Sequence, residues 1–110
     1  MTVEQIAKKC NFEILCGGAG LSREVTDVFC CDLLSWAMGR APTDGAWVTV
    51  MGNLNAVAVA VLADCACIVL AENANADEAA SAKATAEGVA VLRTSLSEFK
   101  AGLVIYDAIK

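Results

Sequence analysis

The longest succession of apolar positions lies in the middle of the chain, between residues 46 and 71, and one polar loop divides it. Ala46 to Val50 is a mostly apolar run that is typical of a buried strand, and the loop Met51 to Asn55 follows it. Ala56 to Cys65 has the length of a helix, and Ala66 to Ala71 is a second buried run. Strand, helix and strand in this order predict a βαβ unit, and therefore a parallel sheet.

Shorter segments with clear periodicity come before this unit. Thr2 and Gln5 have the spacing of a capping box, and an apolar stripe at helical spacing follows, so a first helix is predicted there. Phe12 to Cys16 alternates like a short strand. Val28 to Cys31 is a continuous apolar run, which predicts a buried strand.

Capping residues predict three further helix starts. Asp32 and Asp77 stand at the N-cap positions expected for the second and fourth helices. Ser95 and Glu98 have the capping-box spacing for the last helix, in which Gly102 should weaken the helix unless another element packs closely there. One face of this helix carries four large side chains: Leu96, Phe99, Leu103 and Tyr106.

The order of these elements predicts the fold class. It reads α, β, β, α, β, α, β, α, β, α, with Val89 to Leu92 as the last strand. Three right-handed crossovers would give a mainly parallel sheet with helices on both faces. We therefore expect one α/β domain that covers residues 1–110, a length typical of a single domain.

Charge and composition narrow the classes of partner and compartment. The formal net charge is -5, which argues against nucleic acid or an anionic membrane as a partner. The longest apolar tract, Ala56 to Leu70, is interrupted by Asp64 and is shorter than the ~20 residues of a membrane span. The amino terminus lacks the apolar core of a signal peptide, so we expect a soluble, cytoplasmic protein.

Six cysteines are many for 110 residues, and they fall within predicted helices and strands. In a cytoplasmic protein a disulfide framework is not expected, and the spacings do not match zinc sites, so small buried hydrophobic residues are the simpler interpretation. The alternative is a redox role for Cys30 and Cys31, because a helix start close by would lower a thiol pKa.

The carboxyl ends of parallel strands are where open α/β sheets bind ligands, beside helix amino termini. In the Gly52-Asn53 turn, glycine would let backbone N–H groups approach a ligand. The alternative is that each of these residues only forms a turn or a cap. The tentative ligand-binding residues at this end of the sheet are Asp32, Ser35, Gly52, Asn53, Asn55, Glu72, Asn73 and Thr94.

No set of catalytic residues can be named from this sequence. The chain contains no histidine, no phosphate loop, no dinucleotide fingerprint and no nucleophile elbow, and its carboxylates form no matched pair by spacing. We therefore expect no enzyme activity, no cofactor and no metal.

Six segments of the chain together carry a resemblance to a known family: Val25–Val28, Asp32–Trp36, Gly45–Val50, Leu54–Asn55, Ala66–Leu70 and Gly88–Leu92. They resemble the DRTGG-domain family, in particular its small free-standing members. The loop that corresponds to the name-giving Asp-Arg-Thr-Gly-Gly string reads Met51-Gly52-Asn53-Leu54-Asn55 here. Relatives are joined to CBS domains in regulated inorganic pyrophosphatases and are similar in fold to the amino-terminal domain of HPr kinase/phosphatase.

The resemblance implies an accessory or regulatory domain, a homodimer, rather than a kinase, because the phosphate-loop domain is missing. Our leading hypothesis is a non-catalytic regulatory or interaction domain that dimerises through a helix face or a sheet edge and has a protein partner encoded nearby. The alternatives are a sensor of a small ligand, such as an adenine nucleotide or another anion, and a thiol redox or metal-binding protein.

Overall fold

The computed structural model describes all residues of the chain, Met1 to Lys110. The helices are α1 (Val3–Lys9), α2 (Leu34–Arg40), α3 (Leu54–Leu62), α4 (Glu78–Glu87) and α5 (Glu98–Ile109). The strands are β1 (Glu13–Cys16), β2 (Asp27–Cys30), β3 (Gly45–Thr49), β4 (Cys67–Leu70) and β5 (Ala90–Arg93). A short 3-10 helix, Gly18–Ser22, separates β1 from β2. None of the helices has the length and apolar character needed to cross a membrane.

All five strands form one sheet in the order β1-β5-β4-β3-β2. The pairs β2–β3, β3–β4 and β4–β5 are parallel, while β1 runs antiparallel to β5 at one side. The predicted α/β fold with a mainly parallel sheet is therefore confirmed, and so is the predicted order of helices and strands. Because β3 and β4 lie inside the sheet, all their residues are buried.

The buried side chains form two clusters that share the central strands. Ala46 and Val48 of β3 belong to one cluster, whereas Trp47 belongs to the other, as expected for a strand whose side chains alternate in direction. Helices α1 and α5 contribute to the first cluster, and α2, α3 and α4 contribute to the second. Trp47 is fully buried, and its indole Nε1–H donates a hydrogen bond of 2.9 Å to the carbonyl of Cys31.

The capping box of α1 is confirmed, but three local predictions were wrong. The strand predicted to be buried, β2, lies at the edge of the sheet, and Cys30 is exposed. Helix α2 has no side-chain cap at its start, where Asp32 was expected. The last helix begins later than its predicted box, because Ser97 is the N-cap and its side chain accepts a hydrogen bond from the N–H of Lys100.

Candidate functional site

The carboxyl ends of β2, β3, β4 and β5 meet at one end of the sheet, and backbone hydrogen bonds join the loops that follow them. The N–H of Ala71 donates to the carbonyl of Thr49 at 3.0 Å. The N–H groups of Glu72 and Asn73 donate to the carbonyls of Leu96 and Thr94, both at 2.9 Å. These bonds hold the loops after β4 and β5 together, so side chains far apart in the sequence are fixed near one another.

Asp32 joins the ends of two neighbouring strands and does not cap α2. Its carboxylate accepts hydrogen bonds from the hydroxyl of Thr49 at 2.7 Å and from the N–H of Val50 at 3.0 Å. Because Thr49 is fully buried, its hydroxyl has no access to water, and Asp32 supplies the acceptor that it needs. The prediction that Asp32 caps a helix was wrong because Thr49, the last residue of β3, and Val50, which follows it, use the carboxylate instead.

Glu98, the first residue of α5, forms a carboxyl pair with Asp32. Burial, the hydrogen bond with Asp32 and the charges of Asp32 and Glu72 raise the pKa of Glu98 to about 7. Burial alone would raise the pKa of Asp32, but hydrogen bonds with Glu98, Thr49 and Val50 outweigh it and lower that pKa. As the pH rises, Asp32 therefore ionises before Glu98.

A carboxyl group with a raised pKa is a common feature of active sites, but it needs a cavity in which a substrate can bind. The concavity of this structure, an open depression of about 270 Å³, lies elsewhere. Its lining residues are Thr2, Glu4, Gly18, Leu21 and Ser22. No three histidine, cysteine, aspartate or glutamate side chains are arranged to hold a metal ion. The Asp32–Glu98 pair accordingly connects α5 to β2 and β3 at the surface.

Gly52 allows the loop before α4 to pack closely against it. A Cβ atom built on Gly52 would lie 2.0 Å from the carbonyl oxygen of Asn75 and 2.9 Å from the Cα of Ala76. The carbonyl of Gly52 in turn accepts a hydrogen bond of 2.9 Å from the N–H of Asp77. The space that a ligand would need beside this glycine is occupied by the loop before α4.

The other predicted ligand residues have different surroundings. Asn53 is the N-cap of α3, and its Oδ1 accepts a hydrogen bond of 2.8 Å from the N–H of Ala56. Thr94 is 8% exposed, and its hydroxyl accepts a bond from the N–H of Leu96 at 3.2 Å. Four more are exposed: Ser35 and Asn55 on the first turns of α2 and α3, and Glu72 and Asn73 in left-handed backbone conformations after β4.

Electrostatics at this end of the sheet disfavour an anionic ligand. The charges of Asp32 and Glu72 both act on the ionisation of Glu98. None of the eight lysine and arginine residues forms an ion pair with them. An approaching phosphate would therefore meet uncompensated negative charge.

The same acidic groups also act on the thiol of Cys30. Burial and the neighbouring charges of Glu98 and Asp32 raise the pKa of this thiol, contrary to the expected effect of a helix start. Burial also raises the pKa of Cys65 to about 11 and that of Cys67 to about 12. All six cysteines are free, but only Cys65 and Cys67 are fully buried, so the expectation of six buried thiols was wrong in part.

Helix α5 exposes three of its large side chains and buries another, Ile105. Phe99 is 75% exposed, Leu103 45% and Tyr106 52%, while its small residues Ala101 and Gly102 are buried. A Cβ atom on Gly102 would lie 2.9 Å from the Sγ of Cys30, so the close packing that this glycine requires is present. We call the exposed row Phe99, Leu103 and Tyr106 the α5 stripe.

The α2 side of the domain also exposes an aromatic side chain. Trp36 is 55% exposed. The guanidinium of Arg40 lies 4.3 Å from the centroid of its ring. This cation covers part of the indole face, on which a base would otherwise stack.

Comparison with known families gives one match. The family model described as the DRTGG domain matches residues 5–108, which is nearly the whole chain. No curated protein matches the chain.

Proposed function

The chain belongs to the DRTGG-domain family, a family of regulatory domains, and from that premise we propose that it is a non-catalytic regulatory domain that acts by pairing with a second copy of itself. The observation that carries this proposal is the α5 stripe. The three side chains stand at positions i, i+4 and i+7, so they form one continuous row along the helix. Exposed contiguous apolar surface of this kind marks interaction sites in soluble proteins.

The sheet offers a second surface for self-association, the free side of β2, but its features favour it less. β2 has only four residues, and it pairs with β3 alone. The N–H of Val28 donates a hydrogen bond of 2.8 Å to the carboxylate of Asp27, which removes a donor that an added strand would use. Short edge strands with charged side chains are typical protection against such pairing.

Two further elements of the proposal concern the fold and the compartment. We propose that helices cover both faces of the sheet, since the two core clusters draw on different helices and on alternate residues of the same strands. We also propose a cytoplasmic location, which the six free cysteines support, because thiols stay reduced there.

Self-association should be visible by sedimentation equilibrium over a wide range of protein concentrations. We expect a reversible monomer–dimer equilibrium that shifts towards monomer by about tenfold or more in Phe99→Ser, because a large apolar side chain is removed from the interface. Leu62→Ser is the matched control, since Leu62 is 71% exposed on α3 and outside the α5 stripe. A wild-type chain that stays monomeric at every concentration would contradict the proposal.

A sensor of adenine nucleotides is the alternative that a thermal-shift panel separates from this proposal. We expect no stabilisation, because Asp32, Glu72 and Glu98 make the carboxyl end of the sheet acidic. A nucleotide present at 100 times its dissociation constant would add about 2.7 kcal/mol to the free energy of unfolding. A shift of that size, lost in Asn53→Ala, would favour the sensor.

A protein partner encoded nearby stays a prediction that a pull-down can test.

A further inference from the structure

Resting on the self-association proposed above, we propose that two copies pack α5 against α5 in antiparallel orientation, about a two-fold axis beside Leu103. In this arrangement Lys100 of each copy faces Asp107 of the other. The partner is therefore a second copy of this chain, and the α5 stripe forms the centre of the contact.

The exposed side of α5 divides into an apolar half and a charged flank. At about 100° per residue, Phe99, Leu103 and Tyr106 fall within a narrow sector of the helix surface. Lys100 and Asp107 are both exposed and lie along one side of that sector. They are seven residues apart, or about 10 Å along the axis, so both can reach a helix that covers the stripe.

These two charges are placed almost symmetrically about Leu103, with Lys100 three residues before it and Asp107 four residues after it. A two-fold axis that reverses the helix direction brings positions before the midpoint opposite positions after it, on the same flank. Each lysine then meets an aspartate, twice per dimer. In parallel packing the two-fold axis runs along the helices and places the charged flanks of the two copies on opposite sides of the contact, where neither lysine meets an aspartate, so the charges favour the antiparallel arrangement.

The charges of α5 are available for such a contact within a single chain. Lys100 takes part in none of the ion pairs of the domain. Asp107 pairs only with Lys110, at 3.3 Å, and both of these side chains are more than half exposed. An exposed pair between near neighbours of one helix is weak, so Asp107 can exchange this partner at little cost.

The antiparallel arrangement also separates the acidic ends of the two helices. Glu98 lies at the start of α5, beside Asp32. With the axis beside Leu103, the two copies of Glu98 would be about 16 Å apart along the helices, beyond the screening distance of about 8 Å at physiological salt. Mutual repulsion of the carboxyl pairs therefore does not oppose this contact.

The size of the surface sets the expected affinity. α5 has twelve residues and is about 18 Å long, and a contact limited to one such helix per copy falls below the roughly 800 Å² per partner of a standard interface. We therefore expect a dissociation constant in the micromolar range, which sedimentation equilibrium resolves.

Charge reversal tests the geometry. Lys100→Asp places two like-charge contacts in the dimer and should raise the dissociation constant at least tenfold, and Asp107→Lys should do the same. The chain that carries both changes restores two opposite-charge contacts and should return to within about threefold of wild type. An equimolar mixture of the two single variants should form mixed dimers, because each then complements the other. Lys9→Asp, at another exposed lysine without an ion pair, is the control and should leave dimerisation unchanged.

The outcomes separate this inference from the function on which it rests. If the wild-type chain is monomeric throughout, self-association itself is refuted. If it dimerises and both single reversals dimerise as tightly as wild type, the domain pairs through a different surface and the antiparallel α5 contact is wrong. Circular dichroism of each variant confirms that the fold is retained, as expected for substitutions at exposed positions.

Discussion

Gly52→Ala should lower the free energy of unfolding by about 3 kcal/mol, as measured by urea denaturation, because the added methyl group overlaps the backbone of the loop before α4. Its Cβ would lie 2.0 Å from the carbonyl oxygen of Asn75, a backbone atom that cannot rotate away as a flexible side chain would. The left-handed backbone conformation is not involved here, since among the glycines only Gly18 and Gly88 have a positive φ. The whole predicted loss of stability therefore arises from steric overlap with the loop before α4.

Gly39→Ala is the matched control for this prediction. Gly39 lies within α2, and a Cβ atom built on it meets nothing within 4 Å, so alanine should raise the free energy of unfolding by up to about 1 kcal/mol through helix propensity. If the free energy of unfolding falls in Gly52→Ala and rises in Gly39→Ala, Gly52 is required for close packing. A decrease of less than about 1 kcal/mol in the free energy of unfolding of Gly52→Ala would show that the Asn75–Ala76 loop moves aside freely. A ligand could then also displace this loop.

The sequence predicted correctly those strands and helix caps that depend only on residues close to them in the chain. The apolar runs of β3 and β4 identified the buried central strands, and Thr2 and Asp77 cap helices as predicted. The errors arose where a local signal competes with a distant partner. Asp32 has the chemistry of an N-cap, but Thr49 and Val50 of the neighbouring strand take its carboxylate. No pattern in the sequence shows that Asp32 binds Thr49 and Val50, because the register of β2 against β3 brings these residues together.

The orientation of α5 shows a second limit of periodicity. Its large side chains repeat at helical spacing, which by itself would predict a core-facing side. The structure instead buries Ala101, Gly102 and Ile105, and β2 approaches so closely that the Sγ of Cys30 fills the space beside Gly102. The glycine inside the helix was the usable signal, since it indicated close packing on its own side. Large residues on a different side of the same helix therefore had to face outward.

The candidate site could be predicted only in part. Asp32, Glu72 and Thr94 were placed correctly at the carboxyl end of the sheet by the general rule for parallel strands. Glu98 was assigned to a capping box, and its pairing with Asp32 was missed. The two residues are far apart in the sequence, and their meeting depends on α5 packing against β2, on which the chain gives no local information.

Glu98→Gln should abolish most of the loss of stability that the wild-type domain undergoes between about pH 4.5 and pH 7. In the folded chain the pKa of Glu98 is raised from its ordinary value of 4.5 to about 7, by burial and by Asp32 and Glu72. The folded state therefore binds more protons than the unfolded state across this range, and its stability falls as the pH rises. The lowered pKa of Asp32 acts at more acidic pH, so it leaves this window unchanged.

Glutamine keeps the hydrogen-bond donor to Asp32 but carries no charge at any pH. After allowance for screening at this partly exposed position, we expect Glu98→Gln to be more stable than wild type by about 1 kcal/mol at pH 8 and nearly equal to it at pH 4.5. Glu78→Gln is the control, since Glu78 is likewise the first residue of a helix, α4, but is exposed. Urea denaturation at a series of pH values measures the difference. Parallel pH profiles for wild type and Glu98→Gln would show that the pKa of Glu98 is not raised in the folded chain.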